Sequence, residues 1–382
     1  MRRTAALFAC VLLAGGCASE SRIEREQPAA LADFTPQARV QQLWSAELGP
    51  LGGKRDVTLA PVVDGDTLYC ADTFGGVSAL SAADGRLLWR TKFEAAVTAA
   101  TGVGEGLVLV GTKNGEIIAL DKASGERRWS AVAPSEVLAP PVAQAGVVVV
   151  QTVDGKLTGL SAKDGAKLWG YERSEPALSL RGTSTPIVVG DTVLTGFASG
   201  KVVALSLREG RLLWELAVAQ PHGRNEIERL VDVDVPLLVT RDALFAASYQ
   251  GKLVAIDAQT GRVNWSRDIS TYSGMDADRS AVYATDERGQ VLALDQKTGA
   301  SLWRQEKLRA RALSAPAYFD DAVVVGDFEG YVHWLARDDG RFIARYRLNG
   351  TPIRARAVAG VDALYVVDQD GKIAALRLER KQ

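Results

Sequence analysis

The chain is poor in the residues that most often do chemistry. Histidine occurs twice and cysteine three times in 382 residues. His222 and His333 have neither a cysteine nor a second histidine at ligand spacing, which argues against a zinc or other histidine-based metal centre. Cys10 and Cys17 fall in an N-terminal leader, so Cys70 stands alone in the body of the chain. One thiol closes no internal disulfide, and packing must hold the fold. In the strand-like stretch TLYCAD, Cys70 reads as a small buried apolar residue. Charge of one sign is lacking too. With 45 Lys and Arg against 46 Asp and Glu, the net charge of −1 gives no electrostatic reason to bind nucleic acid. No G-x-S-x-G, P-loop or G-x-G-x-x-G opens a helix, and no long helical period exists, so neither catalytic residues nor a cofactor are expected.

Long apolar runs are missing as well. The longest, at 4–13, is about half of the roughly 20 residues that a bilayer span needs. It follows Arg2 and Arg3 and precedes Ala14-Gly15-Gly16-Cys17, the layout of a cleaved leader. Small residues ending on Cys resemble a bacterial lipoprotein signal, in which Cys17 is lipidated and becomes the mature N-terminus. Ala14 stands where that pattern usually has Leu, with Leu13 one place further back, and an ordinary secretory signal is the alternative. Ala18 after the Cys resembles an outer-membrane sorting signal. The expected organisation is a signal peptide at 1–16, a lipidated tether at 17–38, polar and without apolar period, and one folded domain at 39–382.

What is present is a repeat. Aromatics make up only 7% of the chain, yet eight are Trp, spaced regularly. A Gly followed by alternating apolar residues recurs at Gly76, Gly115, Gly155, Gly200, Gly251, Gly289, Gly330 and Gly371, a mean period of about 42 residues, in the range of four-stranded propeller blades. Each unit holds short runs alternating with period two, which marks strands. Asp-Gly, Ser-Gly or Thr-Gly pairs supply the positive φ of tight hairpins, and Asp84, Asp164, Asp339 and Asp370 read as turn formers. Trp stands four residues after the turn Gly in six units, at Trp89, Trp129, Trp169, Trp214, Trp265 and Trp303. Ala344 replaces it in the seventh. The eighth unit lacks a last strand, and the missing LW occurs in QQLWSAEL at 41–48. The fold class that follows is an all-β, eight-bladed propeller of four-stranded antiparallel blades. Its N-terminal strand completes the last blade and so removes the free edges. Each Trp is expected to pack its indole between neighbouring blades.

Two segments break the repeat. Extra residues fall in SEPALSLRGTSTP (174–186) and AQPHGRNEIERLVDVDVP (219–236), each before the first strand of a blade, in adjacent units four and five. Propeller geometry puts such connections on one face, side by side. Alternation in LVDVDVP places Asp232 and Asp234 on one side and Val231, Val233 and Val235 on the other. Leu178 and Leu180, followed by Arg181, complete a set with the makeup of a protein-binding patch. A solvated loop whose Arg pairs internally with the Asp residues is the alternative.

The stretches AIDAQTGRVNW (255–265) and ALDQKTGASLW (293–303) resemble the pyrroloquinoline-quinone enzyme repeat. Those enzymes also have eight blades, but are much longer, and many carry adjacent cysteines that this chain lacks; here the repeat reports fold. The whole chain from Cys17 onward resembles the BamB family, lipoproteins of the outer-membrane β-barrel assembly machinery. LSLRGTSTP (178–186) and IERLVDVDVP (227–236) look like its signature loops. The resemblance implies a non-enzymatic scaffold on the periplasmic side of the outer membrane. Leu178, Leu180, Arg181, Asp232 and Asp234 would touch the POTRA domains of BamA, and unfolded outer-membrane proteins would be possible further partners. A periplasmic quinoprotein oxidoreductase or a small-ligand-binding propeller is the alternative reading.

Overall fold

The computed structural model describes residues 26–51, 59–173, 183–220, 225 and 230–380. These form eight four-stranded antiparallel sheets arranged as blades around a central channel. Blade 1 is typical: Val62–Asp64 is innermost, then Thr67–Ala71 and Gly76–Ser81, with Leu87–Lys92 outermost. The middle strands are buried on both sides, which explains their continuous apolar runs. Cys70 lies there, buried, and burial pushes its thiol up to about 12, so it is inert packing.

Blade 8 is closed from both ends of the chain. Its outermost strand is Ala38–Glu47, paired antiparallel with Lys372–Arg380, from Ala38 opposite Arg380 to Glu47 opposite Lys372. The hairpins within a blade, between its first and second and between its third and fourth strands, lie on one face of the ring, here the hairpin face. The central turns of the blades and the connections from blade to blade lie on the other, the connector face.

The Trp repeat is the joint between blades. Seven indoles donate Nε1–H to a carbonyl in the hairpin of the next blade, at 2.7–3.2 Å: Trp44 to Ala82, Trp89 to Lys122, Trp129 to Ala162, Trp169 to Leu207, Trp214 to Ala258, Trp265 to Gln296 and Trp303 to Arg337. The hairpin Gly lies under the same indole. At Gly299, with φ of 67°, an added Cβ would sit 2.6 Å from the Trp265 ring. That Gly therefore meets two demands, a left-handed backbone and no side chain. Asp84, Asp164 and Asp339 accept the N–H two residues on, at 3.1–3.2 Å, and so form these turns.

The stretch expected to be a tether is docked from Glu26 onward. Residues 26–37 run along the outside of the joint between blades 6 and 7, where Ala32 and Phe34 join its apolar cluster. Anchoring groups from elsewhere in the chain (Arg309, Arg311 and Arg345) hold it, so its own weak apolar pattern gave no sign of this.

Candidate functional site

The two long connectors enter blades 4 and 5 on the connector face. Leu178, Leu180 and Arg181 lie outside the described residues, as does Cys17; Asp232 and Asp234 are described. The connectors meet where they enter their blades. Buried Ser184 donates Oγ–H to the carbonyl of Val235 at 3.3 Å. Backbone bonds fix the second connector to its neighbours: Val233 N–H reaches Phe197 O (3.2 Å) and Tyr249 N–H reaches Asp232 O (3.0 Å). Val233 presses so closely on blade 4 that a Cβ at Gly196 would fall 2.3 Å from its carbonyl oxygen.

The start of the first insertion is also held. Arg173, the last described residue before it, forms a two-pronged pair with Glu215 on the outermost strand of blade 4, one contact at 3.3 Å and the other shorter. Lys201 adds a third contact at 2.6 Å. Arg173, and then Lys201, hold the Glu215 carboxyl down to about 2.

Val231, Val233 and Val235 are buried as alternation requires. The carboxylates, however, do not stand on an open surface. Asp232 is 1% exposed and Asp234 half-buried, and both line the mouth of the central channel. The stretch is a connector rather than a strand, with its valines buried in the blades and its carboxylates set into the wall of the channel mouth.

That mouth is a cavity of about 640 Å³ to which the connectors into all eight blades contribute. Thr183, Thr185, Asp232 and Asp234 form one wall, and Arg354 and Arg356 of the blade 8 connector form another. Arg356 is paired with Asp276 at 2.7 Å. The arrangement suits polar recognition. Among the described residues, no three His, Cys, Asp or Glu side chains gather to hold a metal ion. Sequence reasoning passed over Arg354 and Arg356, although the alternation of Ile353, Ala355 and Ala357 (buried) with two exposed arginines carries the signal.

Comparison with known proteins gives a consistent picture. The profile of the family described as outer membrane protein assembly factor BamB matches residues 37–102, 94–305 and 288–380. A protein of that name from Pseudomonas aeruginosa is 47% identical over 371 residues, covering 97% of each chain. The crystal structure of BamB from Moraxella catarrhalis superimposes with a TM-score of 0.81 at 30% identity, over 89% of this chain and all of that one. A quinohemoprotein alcohol dehydrogenase from Comamonas testosteroni reaches 0.71 over 88% of this chain and 76% of its own, but at 14% identity, which is a likeness of fold alone.

Proposed function

This chain belongs to the family of outer membrane protein assembly factor BamB, and we propose that it works as a non-catalytic scaffold of that machinery. Lipid on Cys17 holds it to the outer membrane, facing the periplasm. Its interrupted connectors dock the POTRA domains of BamA. The observation that carries this reading is the meeting of the two long connectors at Ser184 and Val235. A regular ring offers much the same connector at each blade, so a partner that binds one place must read the departures from the repeat.

Within the site the roles divide. Leu178, Leu180 and Arg181 supply the apolar centre and charged anchor of a hot spot. Asp232, being buried, holds its connector in shape, while half-buried Asp234 faces the mouth beside it. The test is titration of a soluble POTRA fragment of BamA against single variants. Arg181→Ala or Leu180→Ala should weaken binding by about 30-fold or more with the fold intact. Asp84→Ala, in a hairpin on the opposite face, should leave it unchanged. The reverse pattern would place the interface on the hairpin face and defeat the reading. Cys17→Ser should yield a soluble folded protein; its persistence on membranes lacking BamA would refute the anchor. The quinoprotein alternative predicts quinone absorbance after addition of pyrroloquinoline quinone and calcium, and none is expected.

A further inference from the structure

The segment that precedes the first strand is clamped onto blade 7. Ala29 N–H donates to Arg309 O (3.0 Å) and Gln37 N–H to Ile343 O (2.9 Å), fixing both ends. Between them Arg311 Nη1 donates to Ala29 O and Arg345 Nη2 to Ala32 O, each at 2.9 Å. Phe34 stacks on Phe342 with centroids 5.4 Å apart, and the Arg345 guanidinium lies 5.0 Å from one ring and 5.4 Å from the other.

His333 stands behind both arginines. Its side chain is fully buried, with Nε2 2.9 Å from Asp327 Oδ2, and its Nδ1 accepts from Arg345 Nε at 3.3 Å. An Nδ1 that accepts leaves the proton on Nε2, so the ring is neutral and donates to Asp327. Asp327 also accepts from Arg311 Nε at 2.8 Å, and Arg311 pairs with Glu329. Tyr331 and Phe342 flank the imidazole, and Asp33, on the exposed side of the segment, lies near Arg345. Close to the ring, Arg311 and Arg345 are matched by Asp327 and Glu329, while exposed Asp33 stands on the solvent side of Arg345. A proton on Nδ1 would turn the acceptor of Arg345 into a donor pointed at it and leave an uncompensated buried charge.

We propose that residues 29–37 form a strap whose docking on blade 7 is switched by His333, docked while the imidazole is neutral and released when Nδ1 takes a proton. Burial holds His333 below its ordinary 6.5; Asp327 opposes this, and Arg345 and Arg311 add to it. Docking needs the neutral form, in which Nδ1 accepts from Arg345 while the same guanidinium donates to Ala32 O, so it weakens as pH falls and the ring takes a proton. The device is independent of what the connectors bind.

Hydrogen exchange on the full chain tests it. Corrected for the intrinsic pH dependence of exchange, protection of amides in 29–37 should fall tenfold or more between pH 7.5 and 5.0. The blade strands should keep theirs. His333→Gln, which takes no proton, should hold the strap at both pH values. Arg345→Ala should lose it at both, and this variant remains informative if His333→Gln does not fold. Unchanged wild-type protection across that range, an undiminished acid response in His333→Gln, or a protected strap in Arg345→Ala would each overturn the proposal.

Discussion

Trp334 and Ala344 face each other across the last two strands of blade 7 in the register that pairs Ala or Gly with Trp in the other seven blades, but with the two residues exchanged. The cause lies one blade further on. An outer-strand indole docks on the next blade's hairpin, and blade 8 has none at that place, because its last two strands come from opposite ends of the chain. The bulk moves inward, where Trp334 is fully buried and meets Phe319 edge-on with centroids 6.3 Å apart. Its Nε1–H finds no acceptor among the described residues.

This exchange predicts unequal costs for one chemical change. Trp334→Phe removes a buried donor whose lack of a partner costs about 1–3 kcal/mol, offsetting the lost ring volume. Trp303→Phe loses a bond made at 2.7 Å and leaves Arg337 O bare. In denaturant titrations Trp303→Phe should be the less stable by about 1–3 kcal/mol. Equal losses would mean that the hydrogen bond contributes nothing to the joint.

The hairpin glycines separate two effects. Gly299→Ala must adopt a positive φ and also strike the Trp265 ring, whereas Gly190→Ala, at φ of 60°, meets nothing within 4 Å. The first should cost about 2–4 kcal/mol and the second about 1, read from unfolding free energies. A Gly190→Ala variant as damaged as Gly299→Ala would show that backbone strain alone sets the cost.

Deleting 38–47 takes the outermost strand from blade 8 and bares the edge of Lys372–Arg380. Aggregation or loss of a cooperative thermal transition is expected, seen by light scattering and calorimetry. A monomeric, cooperative deletion variant would show that the ring does not need this closure.

Glu215 gives an acid limit to the start of the first long connector. Its folded-state pKa is depressed to about 2 from 4.5, so its contribution is present above about 4.5 and fades as pH falls toward 2. Glu215→Gln should be less stable at neutral pH and flatter across that window. An identical acid profile in the variant would remove the Arg173 pair from the account.

The ring was legible because its signals are local and repeated. Gly85 with Trp89, or Gly261 with Trp265, falls at one spacing in unit after unit, and hairpin chemistry acts over a few residues. The closing strand was legible because LW at 43–44 supplied what the last unit lacked. Other features depend on distant partners. The strap owes its place to Arg311 and Arg345, some 280–310 positions away. Asp232 is buried at the channel mouth, a placement that alternation within LVDVDVP does not reveal. The Trp334 exchange answers an absence one blade away.

Closure by opposite ends of the chain imposes an order on folding. Ala38–Glu47 is the first of the described strands to be made, and its partner Lys372–Arg380 is the last of them. Until Lys372–Arg380 has been made, seven blades stand as an open arc with an unmatched strand at one end and no seat for it at the other. Blade-to-blade contacts form early, being local, while the contact that makes the circle waits for the greatest loop the chain has to close. A chain interrupted anywhere before those final residues, however well its blades have formed, stays an arc with an adhesive edge.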